Sequence, residues 1–576
     1  MNIDEAVTLA ESWIAGDPDS HTREQLLGHL ERRDEALLLE LMSGSLEFGT
    51  AGLRAVVGPG PKRMNRAVVR QTTAGVARYL ERKYGSTSMN PVIVASDART
   101  SSAAFLREAV GVLAAHGLPV RFFPEPVATP IAAYVARRLQ ASACIVITAS
   151  HNPAEYNGYK LYGGDAVQIV PPEDAEIARE IERSAPAKDE PMAAGALDGG
   201  HAGVEPVAGS LLEDYFRDVS RLRPRAGAPR RDLCIAYTPL HGVGALPLGR
   251  VLADARFVNV HVVAAQREPD GLFPTVRFPN PEEPGALDLV TELAKQVGAD
   301  LLIANDPDVD RLAASLPDGS GGWMPLTGNQ LGILLADFAL ERAPSEPRPL
   351  LAQSIVSSPM LRSIASAYGA HLEQTLTGFK WIWTAALELM EKGALSYVFG
   401  YEEALGYSVG DLVRDKDGIS AALVLCELAA LESDRGSSVR ERLARLYREH
   451  GLWVSVQRSV TRQGLAGAEQ IRAAMQAVTD APPERIAGAP VSTVTDYRKG
   501  GERRPRWLGN TSLVELALGD RGRLLVRPSG TEPKLKIYVD LCAPLDAQTD
   551  VWKAEAGLRT RASELAEALV SILGLS

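Results

Sequence analysis

The serine in the segment Thr-Ala-Ser-His-Asn-Pro stands where an apolar run stops. The run Ala143 to Ile147 predicts a buried strand with Ser150 held at its end, and Pro153 directs the preceding residue away from helix. A turn or helix-capping serine is one interpretation, and a hydroxyl that faces a ligand is another. A serine hydrolase fits poorly, because the Gly-x-Ser-x-Gly elbow is missing and His151 is the immediate neighbour.

Three aspartates, Asp306, Asp308 and Asp310, alternate along the chain just after another apolar run. Carboxylates this close repel one another unless a cation lies among them, and an all-oxygen site favours a hard ion such as Mg²⁺. An EF-hand is excluded, because Arg311 stands where its sixth position needs Gly and Pro317 where its twelfth needs Glu. A solvated acidic turn remains the alternative to a metal site with room for a phosphate oxygen.

A cationic turn, Arg-Pro-Ser-Gly-Thr-Glu-Pro-Lys, lies near the C-terminus. Arg527 offers a bidentate fork, and the hydroxyls of Ser529 and Thr531 can donate to an anion. Gly530 lets backbone N–H groups approach the same anion, and Lys536 follows on the next predicted strand. The pattern indicates phosphate binding, with an ordinary hairpin turn as the alternative.

Two adjacent glutamates, Glu402 and Glu403, follow the predicted strand Leu-Ser-Tyr-Val-Phe-Gly. Adjacent side chains tend to point in different directions, and no second isolated carboxylate motif accompanies them, so a glycosidase acid/base pair fits poorly. A single carboxylate that accepts hydrogen bonds from two neighbouring hydroxyls is the simpler role. The pair therefore indicates a sugar.

The elements that must position these residues alternate between strand and helix. Strands are predicted in PVIVASD, ACIVITAS, DLCIAYT, ADLLIAND and RLLVRPS, and a helix in SSAAFLREAVGVLAAHG between the first two. The alternation predicts βαβ units with mostly parallel sheets, whose ligands bind at the carboxyl ends of the strands. The polar loops described above lie there.

Four domains are predicted from length and from shifts in composition. The 576 residues exceed the usual domain of roughly 100–200 residues several-fold. An Ala/Gly/Pro-rich segment from Ser184 to Ser210 indicates a linker or a long surface excursion, and boundaries are also predicted near Asp318–Gly322 and within Ser433–Val454. The predicted domains span residues 1–205, 206–322, 323–450 and 451–576.

Charge and cysteine content narrow the class of protein. The chain has 61 Lys and Arg against 72 Asp and Glu, a net charge of −11, which argues against general nucleic-acid binding. The four cysteines match neither a zinc pattern nor a disulfide framework, which fits a reducing compartment. Asp4 and Glu5 stand where a signal peptide would carry Lys or Arg, and no segment has the roughly 20 apolar residues of a membrane span. We therefore expect a cytoplasmic protein without a membrane partner.

Together the motifs resemble those of the α-D-phosphohexomutase family. TASHNP with NGYK, DPDVDR, YEEALG and RPSGTEPK occur in the family's order and spacing, from FGTAGLR near residue 48 to KIYVD near residue 540. TPLHGVG, FPTVRFPNPEEP and TLTGFKW are similar to the subgroup of phosphoglucomutases, phosphomannomutases and phosphopentomutases. The resemblance implies an α/β fold of four domains around a central cleft: three related α/β domains with mixed sheets flanked by helices, and a smaller C-terminal α+β domain.

The resemblance also implies a role for each motif. Ser150 would carry phosphate as a phosphoserine, and a phosphate oxygen on it would complete the coordination of one Mg²⁺. The implied catalytic residues are Ser150, His151, Lys160, Arg54 and Arg311; the metal ligands are Ser150, Asp306, Asp308 and Asp310; the sugar-binding residues are Glu402, Ala404, Gly378 and Lys380; and the phosphate-binding residues are Arg527, Ser529, Gly530, Thr531 and Lys536. Either Lys160 or His151 would transfer the proton, with Lys160 preferred.

The implied reaction interconverts a hexose 1-phosphate and a hexose 6-phosphate through a sugar bisphosphate. Glucose is the expected hexose, and glucose 1,6-bisphosphate or a similar compound is the expected activator. Many family members carry a serine where this chain has Ala404, so mannose and pentose phosphates remain alternatives. A glucose 1,6-bisphosphate synthase would use the same motifs, whereas a non-catalytic sugar-phosphate sensor would not need an intact nucleophile. The expected partner is a small phosphosugar, and the expected state is a monomer or homodimer.

Overall fold

The chain folds into two compact units that contain three α/β domains and a C-terminal α+β domain. A computed structural model describes residues 1–47, 52–85, 89–223, 232–462, 464–528 and 534–576. The first unit comprises Met1–Pro325 and Gly406–Glu427, and the second comprises Leu326–Leu405 and Leu428–Ser576. Across these described stretches, no helix combines the length and apolarity that a membrane crossing requires.

Three helices precede the first sheet: α1 (Ile3–Gly16), α2 (Ser20–Arg32) and α3 (Glu35–Met42). α1 begins with a capping box, in which the Asn2 side chain accepts from the Glu5 backbone N–H and the Glu5 carboxylate accepts from the Asn2 N–H. The helices bury a small core of their own, which includes Leu26, Leu38 and Leu41.

The first domain is built on a mixed six-stranded sheet. Its elements are β1 (Leu53–Val56), α4 (Arg66–Tyr84), β2 (Val92–Ser96), α5 (Ser102–Ala115), β3 (Val120–Phe122), α6 (Thr129–Arg138), β4 (Ala143–Ile147), β5 (Tyr156–Tyr162), α7 (Glu173–Glu182) and β6 (Val204–Pro206). The strand order is β1-β5-β4-β2-β3-β6. The last four strands are parallel, and β1 and β5 are antiparallel to their neighbours, so the loops after β2 and β4 meet at one edge of the sheet.

The second domain repeats this plan with five strands. Its elements are α8 (Gly209–Ser220), β7 (Ile235–Thr238), α9 (Ala245–Asp254), β8 (Val260–Val262), α10 (Asp288–Val297), β9 (Leu301–Ala304), β10 (Ala313–Pro317) and β11 (Trp323–Pro325). The strand order is β11-β10-β9-β7-β8, with β9, β7 and β8 parallel. β11 pairs with β10 and lies just beyond the domain boundary predicted at residue 322.

The third domain contains α11 (Gly328–Leu340), β12 (Arg348–Ser354), α12 (Met360–Ala367), β13 (His371–Thr375), α13 (Phe379–Glu391), β14 (Leu395–Glu402), β15 (Gly406–Val409), α14 (Gly418–Asp434) and α15 (Val439–His450). In the second unit, β12 pairs in parallel with β13 on one side and with β14 on the other. The chain from β15 to residue 427 belongs to the first unit.

The fourth domain has an antiparallel sheet. Its elements are β16 (Leu452–Thr461), α16 (Gly464–Asp480), β17 (Arg485–Ile486), β18 (Ala489–Pro490), β19 (Thr493–Asp496), β20 (Val514–Ala517), β21 (Gly522–Pro528), β22 (Lys534–Ala543) and α17 (Val551–Ile572). The order β16-β22-β21-β20-β19 is antiparallel throughout, which distinguishes this α+β domain from the other three.

The five apolar runs and the helix predicted from the sequence are confirmed as β2, β4, β7, β9, β21 and α5. Most of the segment Ser184–Ser210 is exposed or half-buried, as expected of a surface excursion, but parts of it are tied to the first domain. It supplies β6, which pairs with β3, and Ala196 packs into the core at 4% exposure. Met192 packs against α5 at Gly111, where a Cβ would lie 2.9 Å from the methionine side chain. The exact domain boundaries stay predictions.

Candidate active site

Ser150 lies in the loop after β4, at the carboxyl edge of the parallel strands of the first domain. Its backbone is left-handed, with a φ of 51°, which costs a non-glycine residue about 1 kcal/mol or more. Its N–H donates to Thr148 Oγ1 at 2.9 Å, and its own Oγ donates to Asp306 Oδ2 at 2.7 Å. The loop thus fixes the hydroxyl against the aspartate triplet.

Arg99, in the loop after β2, holds the serine loop in this conformation. Its guanidinium donates to Asp97 Oδ2 and, at 2.6–3.1 Å in all, to the backbone oxygens of Ser150, Asn152, Pro153 and Tyr156. The side chain is 1% exposed and lies over the Phe273 ring. Only the planar, five-donor fork of arginine fills these acceptors together.

The three aspartates converge in the loop after β9. Asp306, Asp308 and Asp310 are each at most 1% exposed, and each places one oxygen within 4.8 Å of the others. The Oδ1 atoms of Asp308 and Asp310 are buried and have no hydrogen-bond partner among the described residues. Buried carboxylate oxygens without partners are costly, and an oxygen-only set suits a hard divalent cation. The triplet could therefore bind a metal such as Mg²⁺.

The pKa values of the three aspartates also indicate a site for a cation. Burial, reinforced by the charges of Asp310 and Asp308, raises the pKa of Asp306 well above its usual range. Burial also opposes ionisation of Asp310, but Lys160, Lys416 and Arg311 together lower its pKa below the usual range. Ionisation of the whole triplet therefore depends on nearby positive charge.

Two lysines supply part of that charge. Lys160, on β5, places its Nζ 2.7 Å from Asp308 Oδ2 and 2.8 Å from Asp310 Oδ2, and is 1% exposed. Burial lowers the pKa of Lys160, but these two carboxylates outweigh it and raise the pKa overall, so the ammonium is protonated. The Nζ of Lys416, which the sequence did not indicate, lies 3.3 Å from Asp310 Oδ2.

His151, Arg54 and Arg311 also surround Ser150. The Nδ1 of His151 lies 3.1 Å from the Ser150 Oγ, and burial, followed by Arg311 and Arg54, lowers the His151 pKa well below its usual value. Arg54 donates to Asn152 Oδ1 at 2.9 Å. The backbone N–H of Arg311 donates to Asp306 Oδ1 at 3.0 Å, and its guanidinium pairs with Glu282. All five predicted catalytic residues therefore lie in the first unit with the triplet.

The loop after β7 supports the aspartate loop from behind. The N–H of Val243 donates to the Pro307 carbonyl at 2.9 Å, and a Cβ on Gly242 would lie 2.3 Å from Pro307 Cα. No side chain fits between the two backbones, so glycine is required there. Val309 has a left-handed φ of 64°, a second strained position beside the site.

In the second unit, the structure joins the two predicted sugar-binding elements. Glu402, at the end of β14, accepts a 2.7 Å hydrogen bond from the Gly378 N–H through its Oε1. Gly378 precedes α13 with a φ of 118°, which glycine adopts readily. Lys380 is in the first turn of α13, and Ala404 follows β14 in a half-buried position.

Two of the five predicted phosphate-binding residues, Arg527 and Lys536, lie in the part of the chain that the structure describes. Ser529, Gly530 and Thr531 lie outside the described residues. Arg527 on β21 stands directly opposite Lys536 on β22. The two basic residues of the predicted phosphate site therefore lie side by side next to the turn, and the phosphate site itself stays a prediction.

Models of all four phosphoglucomutase/phosphomannomutase domains match the chain. The three alpha/beta/alpha domains match residues 45–188, 213–319 and 327–450, and the C-terminal domain matches residues 468–551. The chain belongs to this family. The α-D-phosphohexomutase membership expected from the motifs is thus confirmed, and the chain is an enzyme of the phosphotransferring mutase class.

Relatives of the chain carry three substrate names. A probable phosphomannomutase of Haemophilus influenzae is 38% identical over 505 residues, which cover 86% of this chain and 97% of that protein. A phosphopentomutase of Pongo abelii is 33% identical over 556 residues, which cover 92% and 90%. A phosphoglucomutase of Staphylococcus aureus is 32% identical over 543 residues, which cover 93% and 96%.

Two residues near the Ser150 site were missed from the sequence. Arg99 had a usable signal, because it follows a predicted strand whose carboxyl end lies at the same sheet edge as Ser150. Lys416 had none, because a lysine between two aspartates reads as a solvated charge run. It reaches Asp310 only through the fold.

Proposed function

We propose that the chain interconverts a hexose 1-phosphate and the corresponding 6-phosphate, with glucose as the hexose. The observation that carries this proposal is the Ser150 hydroxyl, held 2.7 Å from Asp306 within a triplet that has two unpartnered buried oxygens. Glucose follows the expectation from the motifs, and the family is named for glucose and mannose alike. Mannose and pentose phosphates are the alternatives, because Ala404 removes a possible hydroxyl contact to the sugar.

The first transfer moves a phosphoryl group from Ser150 to the sugar. The phosphorus–Oγ bond of phospho-Ser150 breaks, a bond forms from phosphorus to the free hydroxyl of the hexose monophosphate, and that hydroxyl loses its proton. The Oγ leaves as an alkoxide, which takes up a proton. Arg54 donates to Asn152 of the serine loop, and the charges of Arg54 and Arg311 both act on His151 beside Ser150. The two guanidinium groups would stabilise the charge that spreads over the phosphoryl oxygens.

The second transfer reverses these steps. The sugar bisphosphate turns over, and Ser150 Oγ attacks its other phosphate, so that phosphoserine is regenerated and the product monophosphate leaves. Added glucose 1,6-bisphosphate would activate by phosphorylating any Ser150 that has lost its phosphate. Glu402 and the loop at Gly378 would bind the sugar hydroxyls in both orientations.

The proton transfer has two candidates in the chain. His151 contacts Ser150 Oγ, and its lowered pKa keeps the imidazole neutral and able to accept a proton. Lys160, preferred from the sequence, is protonated between Asp308 and Asp310 and in that arrangement can only donate. We therefore propose His151 as the group that takes and returns the proton.

Asp306, Asp308 and Asp310 would hold one Mg²⁺ together with a phosphate oxygen on Ser150. When bound there, the ion would withdraw charge from the phosphoryl group. The chain's own part is to fix the three carboxylates, which the Arg311 N–H, Lys160 and Thr129 do through hydrogen bonds to them.

A coupled assay tests the proposal. Purified protein with Mg²⁺ and a trace of bisphosphate is given glucose 1-phosphate, mannose 1-phosphate or ribose 1-phosphate, and kcat/KM is compared. Glucose 1-phosphate should give the highest value. A higher value for mannose or ribose would reassign the substrate, and net release of bisphosphate would indicate a synthase. No conversion of any of the three would contradict the mutase proposal.

Arg527→Ala should reduce catalysis in both directions alike. If Arg527 binds whichever phosphate is not being transferred, its loss removes a charge-assisted contact of about 1.5–3 kcal/mol from each direction. We expect kcat/KM for glucose 1-phosphate and for glucose 6-phosphate to fall by similar factors, roughly tenfold or more. Arg521→Ala, an exposed arginine just before β21, is the control. A loss confined to one direction would mean that each phosphate has its own site.

Arg99→Lys should slow phosphoryl transfer without weakening substrate binding. Lysine keeps the charge but cannot fill the same acceptors, so the loop would relax and Ser150 would lose its alignment. We expect kcat to fall by on the order of tenfold to a hundredfold while KM changes less than about threefold. Arg70→Lys, at another buried arginine of the first domain, controls for general destabilisation. Equal kcat values in Arg99→Lys and wild type would refute the positioning role.

A further inference from the structure

A short segment of the fourth domain, Pro505–Leu508, packs against the third domain within the second unit. Leu376 follows β13 directly and leads into the loop at Gly378, and its backbone N–H donates to the carbonyl of Trp507 at 2.8 Å. β13 pairs with β12 on one side only, so this contact covers the chain just where an edge strand ends. The loop that joins β13 to α13 is therefore tied to another domain at its first residue.

The Trp507 side chain adds two further contacts to the third domain. Its indole N–H donates to Glu373 Oε1 on β13 at 2.9 Å, and the Lys392 ammonium, just after α13, lies 5.8 Å from its ring centroid. The residue is 4% exposed. The preceding Arg506 pairs with Glu388 of α13. One tryptophan thus contacts the strand before the loop, the loop itself and the end of the helix after it.

The other end of this chain of contacts is Glu402. The Gly378 N–H, two residues beyond Leu376, donates to its carboxylate. The loop is thus held near its start by the Trp507 carbonyl and at Gly378 by the Glu402 carboxylate. A shift of a fraction of an ångström here changes which hydroxyl of a bound sugar can be contacted.

We infer that Trp507 is a positioning residue that fixes the sugar-contacting loop and so determines which phosphosugars are accepted. The inference rests on the proposed function for the role of Glu402 and Gly378. It adds a determinant of substrate choice that lies in a different domain from the loop and need not touch the sugar. Sugar choice would then depend on the same domain that carries Arg527.

The test compares wild type, Trp507→Phe and Glu373→Ala, with Trp552→Phe as the matched control. Phenylalanine keeps an aromatic ring but removes the indole N–H, and Glu373→Ala removes its acceptor. Trp552 lies on α17 and is stacked on Arg440, away from the loop. Equilibrium binding and steady-state kinetics are both measured with glucose 1-phosphate and ribose 1-phosphate.

We expect Trp507→Phe to raise the dissociation constant and KM for glucose 1-phosphate about fivefold and to change kcat less than about twofold. The ratio of glucose to ribose kcat/KM should fall by a similar factor, which a general loss of stability would not produce. Glu373→Ala also removes the partner of His371, and it should give the same change in the sugar ratio because it removes the same indole contact. The double variant should change that ratio no more than either single one. Trp552→Phe should match wild type.

Unchanged binding and an unchanged sugar ratio in both single variants would overturn the inference. Equal losses of binding for the two sugars would overturn it as well, because they would indicate a structural role only. Failure of the wild type to bind either sugar phosphate would also overturn it. Binding that shifts as expected in a protein without turnover would support this inference while contradicting the proposed mutase reaction.

Discussion

Ser150→Ala is expected to abolish mutase activity and to remove a phosphate from the intact protein. Alanine has no oxygen to carry the phosphoryl group, and neither neighbouring His151 nor Thr148 occupies the position 2.7 Å from Asp306. Loss of a nucleophile that forms a covalent intermediate lowers kcat by on the order of 10⁴-fold or more. Intact-mass spectrometry of protein treated with bisphosphate should show added phosphate on wild type and none on the variant.

Ser142→Ala provides the control for this result. Ser142 is buried immediately before β4, at the opposite end of the strand that leads to Ser150. The control should retain both the phosphate and the activity. Turnover by Ser150→Ala at more than a few per cent of the wild-type rate would mean that the phosphate passes between sugar positions without this serine.

Removal of divalent metal should have the second-largest effect. Without a cation, the triplet holds negative charges buried at close range, and the Oδ1 atoms of Asp308 and Asp310 have no partner among the described residues. Treatment with a chelator should lower kcat by at least about a thousandfold, and Mg²⁺ should restore it. Because metal bound to the folded state stabilises it, Mg²⁺ should also raise the melting temperature of the chelator-treated protein.

Asp308→Asn tests whether the requirement for Mg²⁺ comes from the triplet or from another site. The substitution removes one anionic ligand, so Mg²⁺ should be needed at concentrations at least about tenfold higher for half-maximal activity and for the same rise in melting temperature. Asp318→Asn is the control and should respond to Mg²⁺ like wild type. Asp318 lies in a turn of the same domain, where its carboxylate accepts hydrogen bonds from the N–H groups of Ser320 and Gly322. Activity that is indifferent to chelator would contradict the metal site.

The parts of the fold that follow from local pattern could be predicted from the sequence. Strands such as β4 and β9 are short aliphatic runs that end in polar loops, and both the pattern and the loop positions were predictable. The strand β6 within Ser184–Ser210 was harder, because the Ala/Gly/Pro-rich composition around it is typical of linkers. β6 has only three residues, too few for a periodic signal.

The candidate site was predictable where a motif is continuous in sequence, and much less so where it is assembled by the fold. The three aspartates occupy alternate positions of one short segment, so the sequence alone predicts that they lie together. Lys160 was identified through its motif, but its contact with Asp308 spans 148 positions, and spacing gives no information about it. Trp507 contacts Glu373 across 134 positions, and nothing in its neighbourhood marks it as more than a buried aromatic residue.

The left-handed backbone at Ser150 limits how this protein can be engineered. At a φ of 51° glycine or asparagine suits the chain better than serine, so a stability-guided redesign that scored only the fold would replace the nucleophile. The strain persists because Arg99 and Thr148 hold the loop from both sides. A thermostabilised version of the enzyme must therefore exclude positions 99, 148 and 150 from optimisation and gain its stability elsewhere.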